Sequence, residues 1–173
     1  DHWKAQGSDL AILASGFRHK AIASKARGTG YANTVSQAGF KTHDDRYQLA
    51  LAEVQPILNR ETPPDGALWL AIRSRLSLGE SAENLQPLLK KQIECHPYSY
   101  DVHAQLCLHM LPRWGGRSGE AGSYLGSLTD LLPYPFSELT YTRVLLVFYK
   151  SLGPSILLPH EAGMSISRVM RSI

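Results

Sequence analysis

Apolar residues recur along this chain at three- and four-residue steps, in blocks separated by glycine, proline and short polar runs. That spacing marks amphipathic helices. No block shows the alternation of β-branched and polar residues that marks a strand between hairpin turns. The pattern predicts helices over about 9–26, from Thr34 or Ser36 to about 58 with Pro56 near the end, and over 67–78, 82–94, 99–111, 118–131, 137–151 and 161–171. Ser81 and Ser118 have the polar character of N-caps, and Gly79 and Gly153 stand where C-caps belong.

The blocks repeat. A shift of 34 residues places Pro63 on Pro97, Trp69 on His103, Ile72 on Leu106 and Leu76 on Met110. A third unit opens at Pro133 or Pro135, 36 to 38 residues after Pro97, so a small insertion loosens the period. A helix-turn-helix period of about 34 residues is the tetratricopeptide one, and it exists because one hairpin cannot bury its apolar face alone. The expected fold is therefore all-α, a TPR-like right-handed stack of antiparallel helix pairs with seven or eight helices. Residues 1–173 are expected to form a single domain, in which 1–60 is a long capping pair and 61–96, 97–132 and 133–173 are repeat-like hairpins.

Composition narrows the function classes. Hydrophobic residues make up 43% and charged residues 19% of the 173, a globular balance rather than a disordered one. Eighteen Lys and Arg residues give a net charge of +3, but Lys90–Lys91 is their only adjacent pair. Nucleic acid calls for a concentrated basic face, so the scatter favours an acidic protein or peptide as partner, with no nucleic acid and no membrane. Two cysteines, Cys95 and Cys107, are too few for a disulfide framework. The expected compartment is the cytoplasm; because the chain opens at Asp1 without a methionine, a lost signal peptide and a periplasmic location stay open.

Two segments have the look of signatures. "KARGTGYANTVSQAGF" (Lys25–Phe40) and "LPRWGGRSGE" (Leu111–Glu120) resemble the motifs of a bacterial family of unknown function, in which an Ala-Arg-Gly-x-Gly-x-Ala-x-Thr-Val segment precedes TPR-like repeats with a Pro-Arg-Trp-Gly-Gly corner. The resemblance covers about Phe17 to Leu131. Phe40 stands where the family has tryptophan, and Arg117 intervenes before Ser118 and adds a positive charge at the corner. What the resemblance implies is a fold; it implies no established activity.

From the residues themselves, both segments read as helix corners. Pro112 suits a helix boundary, Gly115 and Gly116 can reverse the chain, and Trp114 is a large apolar plug between layers. Arg27, Gly28 and Gly30 form the earlier corner. Neither has the spacing of a phosphate loop or the third glycine and preceding strand of a dinucleotide site. Gln105, His109 and Arg113 fall at i, i+4 and i+8, a polar stripe on an apolar helix, and the repeat shift brings Arg75 into register with His109. With Arg143 they would line a positive concave surface suited to carboxylates, against the plainer reading of a solvated stripe.

Catalytic constellations are thin. Cys95, His96, His103 and Cys107 are a weak zinc-type set, without a tight Cys-x-x-Cys or His-x-x-x-His anchor. "THDD" (Thr42–Asp45) sits inside an amphipathic helix beside Arg46 and reads as an exposed polar face, and His160–Glu161 lacks the second histidine of a metalloprotease helix. "YTRVLLVFYK" (Tyr141–Lys150) is apolar nearly all round, so it is expected to be buried or, at the end of the array, to form an interface. The expectation is thus a non-enzymatic protein- or peptide-binding repeat module with no cofactor. The C-terminal segment 151–173 is offered as a surface for self-association. An immunity protein that covers a toxin is the alternative within binding proteins; a metal-binding or metal-dependent enzyme using Cys95–Cys107 is the alternative outside them.

Overall fold

The structure is a computed structural model that describes residues 8–28, 30, 32–114 and 116–152. It holds seven α-helices among those residues: α1 Asp9–Arg27, α2 Gln37–Leu58, α3 Asp65–Ser77, α4 Gln86–Cys95, α5 Tyr100–His109, α6 Glu120–Leu131 and α7 Phe136–Leu152. No strand occurs among the described residues, so the all-α expectation stands. The helix expected over 161–171 lies outside them, as does Gly153, the cap expected after the helix over 137–151. The chain divides into two compact units, Asp1–Lys91 and Gln92–Ile173, with the boundary falling within α4.

In the first unit α1 and α2 form a long hairpin on which α3 packs. The hairpin is antiparallel, because partners descend α1 as they climb α2: Arg46 donates to His19 Nδ1 at 3.2 Å, and Arg60 pairs with Asp9. Ser36 rather than Thr34 starts α2, its hydroxyl accepting from the Gly39 amide at 3.1 Å, which satisfies one of the orphan donors of the first turn. Thr34 falls instead in a 3-10 turn, Ala32–Thr34. The core is Ala50, Val54, Ile57 and Leu58 from α2 against Ala67, Leu68, Leu70 and Ala71 from α3, flanked by Ile12, Leu13, Trp69 and Leu88. Trp69 stacks on Phe17 with ring centroids 5.6 Å apart.

Two expected helix starts move. Residues 82–85 form successive i to i+3 turns, with Asn84 N donating to Ser81 O at 3.2 Å and Leu85 N to Ala82 O at 3.2 Å, so α4 begins only at Gln86 and Ser81 is not its cap. At α6 the cap is Gly119, with φ 79°, rather than Ser118. The Glu120 carboxylate reaches back to accept from the Arg117 amide at 2.8 Å, and the Glu120 amide donates to Arg117 O at 3.1 Å, a turn that brackets Ser118 and leaves Gly119 as the cap.

In the second unit α5, α6 and α7 pack pairwise. Val102, Ala104, Leu106, Met110 and Leu111 meet Ala121, Leu125 and Leu128 of α6 and Tyr141, Val144 and Phe148 of α7, all buried. Burial at residues 141, 144 and 148 is the i, i+3, i+7 stripe that one helix presents to a core.

Candidate functional site

The "PRWGG" corner is a corner, built differently from the sequence expectation. Pro112–Trp114 is a 3-10 turn in which Trp114 N donates to Leu111 O at 2.9 Å and Gly116 N to the same oxygen at 3.1 Å. Gly116 is required because a Cβ there would overlap the Met110 carbonyl. Trp114 is not a plug: it is 54% exposed, while Leu111 and Met110, on the strand of chain just before the turn, fill the interior. At the earlier corner the Gly28 backbone has φ 67° and ψ −170°, a positive-φ conformation open to glycine that ends α1. There Arg27 Nη1 donates to Gly30 O at 2.6 Å and to Gly28 O at 3.4 Å. Arg27 thus holds two carbonyls of the reversed chain.

The expected basic stripe is only partly assembled. α5 stops at His109, and Arg113 follows in the 3-10 turn, so the helical register expected to join Gln105, His109 and Arg113 ends one turn early. Gln105 and His109 are half-buried; the Arg113 side chain lies outside the described residues. Arg75 belongs to the first unit, where its guanidinium faces Glu80 Oε1 at 3.5 Å, so part of its charge is met locally. Arg143 is exposed on α7 and stands 5.4 Å over the Tyr100 ring, a cation–π contact that fixes an otherwise free side chain. Arg117, the extra charge at the corner, pairs weakly with Glu120 at 3.8 Å.

The weak metal set resolves into packing. His103 is fully buried, and its Nδ1 shares a 2.8 Å hydrogen bond with the Tyr124 hydroxyl of α6. Its Nε2 is buried without a hydrogen-bond partner. Burial disfavours the imidazolium and pulls the His103 pKa down to about 4. Burial also pushes the Cys107 thiol up, leaving it a poor nucleophile or ligand. Among the described residues no three His, Cys, Asp or Glu side chains come together as a metal would need.

Sequence reasoning missed Tyr124, although its place between the inward Ala121, Leu125 and Leu128 is the available signal. It also missed a polar node in the first unit. Burial alone would raise the Tyr47 pKa, but the Ser77 hydroxyl, the Arg73 guanidinium and the Ser24 hydroxyl gather around its oxygen and hold it below the ordinary value. No spacing rule joins residues 24, 47, 73 and 77. Within "THDD" the charges are met by neighbours other than Arg46. Arg46 turns to His19, while His43 Nδ1 donates to Asp44 at 2.7 Å and Lys41 Nζ to Asp45 at 2.7 Å.

The remaining surface features differ in kind. A recess of about 360 Å³ on the α1–α2 face is lined by Ile12, Leu49, Ala52, Glu53 and Pro56, an apolar wall with one carboxylate and no converging donors. On α7 the picture is stronger. Ser137, Thr140, Tyr141, Val144 and Phe148 are buried, yet the opposite side carries Leu139, Leu146 and Tyr149 at 51%, 46% and 57% exposure, with Arg143 and Lys150 exposed among them. The expectation that "YTRVLLVFYK" is either buried or an interface is met half-way: one face is core and the other is open. No helix among the described residues is long and apolar enough to cross a membrane. Comparison with protein-family models, with curated proteins and with solved structures finds no match to this chain.

Proposed function

We propose that this chain is a non-enzymatic protein-binding module whose TPR-like helical hairpins present a mildly basic surface to an acidic protein or peptide. The observation that carries this reading is the outer face of α7, where leucines and a tyrosine are exposed between Arg143 and Lys150. A monomeric helix has no reason to keep three large apolar side chains in water at helical spacing, and such patches mark interaction sites. Gln105 and His109 on α5 would extend the surface within the same unit. The buried node argues against chemistry there, because a neutral, enclosed His103 and a protonated Cys107 offer neither a base nor a nucleophile at neutral pH.

The test is affinity capture from the source organism's lysate with the full chain immobilised, read by mass spectrometry at low and at about 0.5 M salt. One stoichiometric protein, released as salt rises, is the expected result. A capture that yields no protein above the uncoupled resin overturns the reading.

A further inference from the structure

Along the outer face of α7, Phe136, Leu139, Arg143, Leu146 and Lys150 follow one another at steps of three, four, three and four. That is the heptad step of a coiled-coil seam, not the wider stripe of a helix packed on a globular core. The core stripe of α7 is already spent on residues 137, 140, 141, 144 and 148, all buried. The seam is thus a second, separate apolar register on one helix, and it runs about 21 Å at 1.5 Å per residue. Its first and middle members are set: Phe136 lies edge-on to Tyr98 with centroids 4.8 Å apart, and Arg143 is held over Tyr100.

We infer that this seam docks an acidic amphipathic helix of about four turns, lying along α7 with its own leucines between Leu139 and Leu146 and its carboxylates on Arg143 and Lys150. The inference rests on the protein-binding reading above and names the partner's chemistry. Charge selects the occupant. No acidic residue stands at a seam position, so a second copy of the chain would add two more positive side chains to the seam and no seam carboxylate to meet them. The chain's own segment beyond α7 is no better suited, since Arg168 and Arg171 outnumber Glu161 there. An acidic helix turns both positive positions from a cost into the element that selects it, as charged residues in coiled-coil seams do.

The test uses the full chain and a fluorescein-labelled 21-residue peptide with leucine at each d position, glutamate at a, e and g, and alanine elsewhere. Its counterpart carries lysine for every glutamate. Repulsion within each peptide keeps it from pairing with itself. Fluorescence anisotropy at about 50 mM salt should show saturable binding of the acidic peptide at least about tenfold tighter than of the basic one. R143E with K150E should invert that preference, and L139Q with L146Q should abolish binding of both; circular dichroism checks that each variant stays helical. Equal affinity for the two peptides, no saturable binding, or indifference to the charge reversal overturns the seam. So does sedimentation showing a dimer that L146Q dissolves, since the face would then belong to a second copy. A captured partner whose binding survives R143E with K150E overturns the seam and leaves the protein-binding reading standing; an empty capture removes both.

Discussion

Lowering the pH through the His103 window should destabilise the second unit, and the cost can be worked from its surroundings. The imidazole is fully buried, with Nδ1 bonded to Tyr124 and Nε2 unpartnered. Its pKa falls from 6.5 to about 4 because burial penalises the charged ring. In the unfolded chain the ring takes up a proton as pH drops below about 6.5, whereas the folded chain refuses it until about pH 4. Over that window the unfolded state binds more protons, so stability falls with falling pH, at about 1.4 kcal/mol per unit and by about 3 kcal/mol in all. His103→Gln keeps a polar group beside Tyr124 and removes the titration. Urea unfolding of both chains followed by circular dichroism at pH 4.5, 5.5, 6.5 and 7.5 isolates the term, since other titrating groups cancel in the difference. The wild type should lose stability relative to the variant by about 2–3 kcal/mol between pH 6.5 and 4.5. Parallel pH profiles, or a His103 ring that titrates near 6.5 by NMR, would refute the reasoning.

Three further predictions concern packing. Trp114→Ala should cost less than about 1 kcal/mol, while Leu111→Ala, which empties the interior of the same corner, should cost about 2–5 kcal/mol; urea midpoints of the two variants in the reverse order would contradict the corner's geometry. Gly116→Ala should destabilise by about 2 kcal/mol or more, because the new methyl must displace the Met110 backbone rather than a mobile side chain; thermal melts measure it. Tyr47→Phe should cost about 1–3 kcal/mol by leaving the groups around its hydroxyl without that partner. A spectroscopic titration of the wild type should place that phenol below the ordinary tyrosine value.

What was legible in the sequence is what is decided within a few residues. Ser36 before a helical run and Gly28 or Gly79 after one mark ends through backbone chemistry alone, and those ends stand where expected. The corner at Pro112 was legible for the same reason. Its interior was not, because periodicity says that Met110, Leu111 and Trp114 are all apolar, and only the path of the turn decides which of them enters the core. The cap at α6 moved one residue on, because the chain enters the helix through Gly119 at φ 79°, a conformation that serine rarely adopts. The polar nodes were illegible for a more general reason. Tyr47 with Ser24, Arg73 and Ser77, and His103 with Tyr124, join residues from different helices, and no single-helix period carries that information. Arg75 shows the same limit, since its partner Glu80 lies beyond the end of its helix, where helical spacing no longer applies.

Those nodes bear on how the outer face of α7 would work. Buried polar pairs have few alternative arrangements, so the His103–Tyr124 bond pins α5 to α6 at one register, and the inward residues of α7 pack on that pair. The seam is therefore displayed on a helix whose rotation is already set, and a docking helix has no rearrangement of this chain to wait for. Association without a conformational step proceeds at about 10⁵–10⁷ M⁻¹s⁻¹, and complementary charge raises that rate at low salt. Stopped-flow anisotropy with the acidic peptide should accordingly give a single phase whose rate rises linearly with protein concentration and slows as salt is added. A rate that levels off at high concentration would show that α7 must move first, and the pinned register would then be wrong.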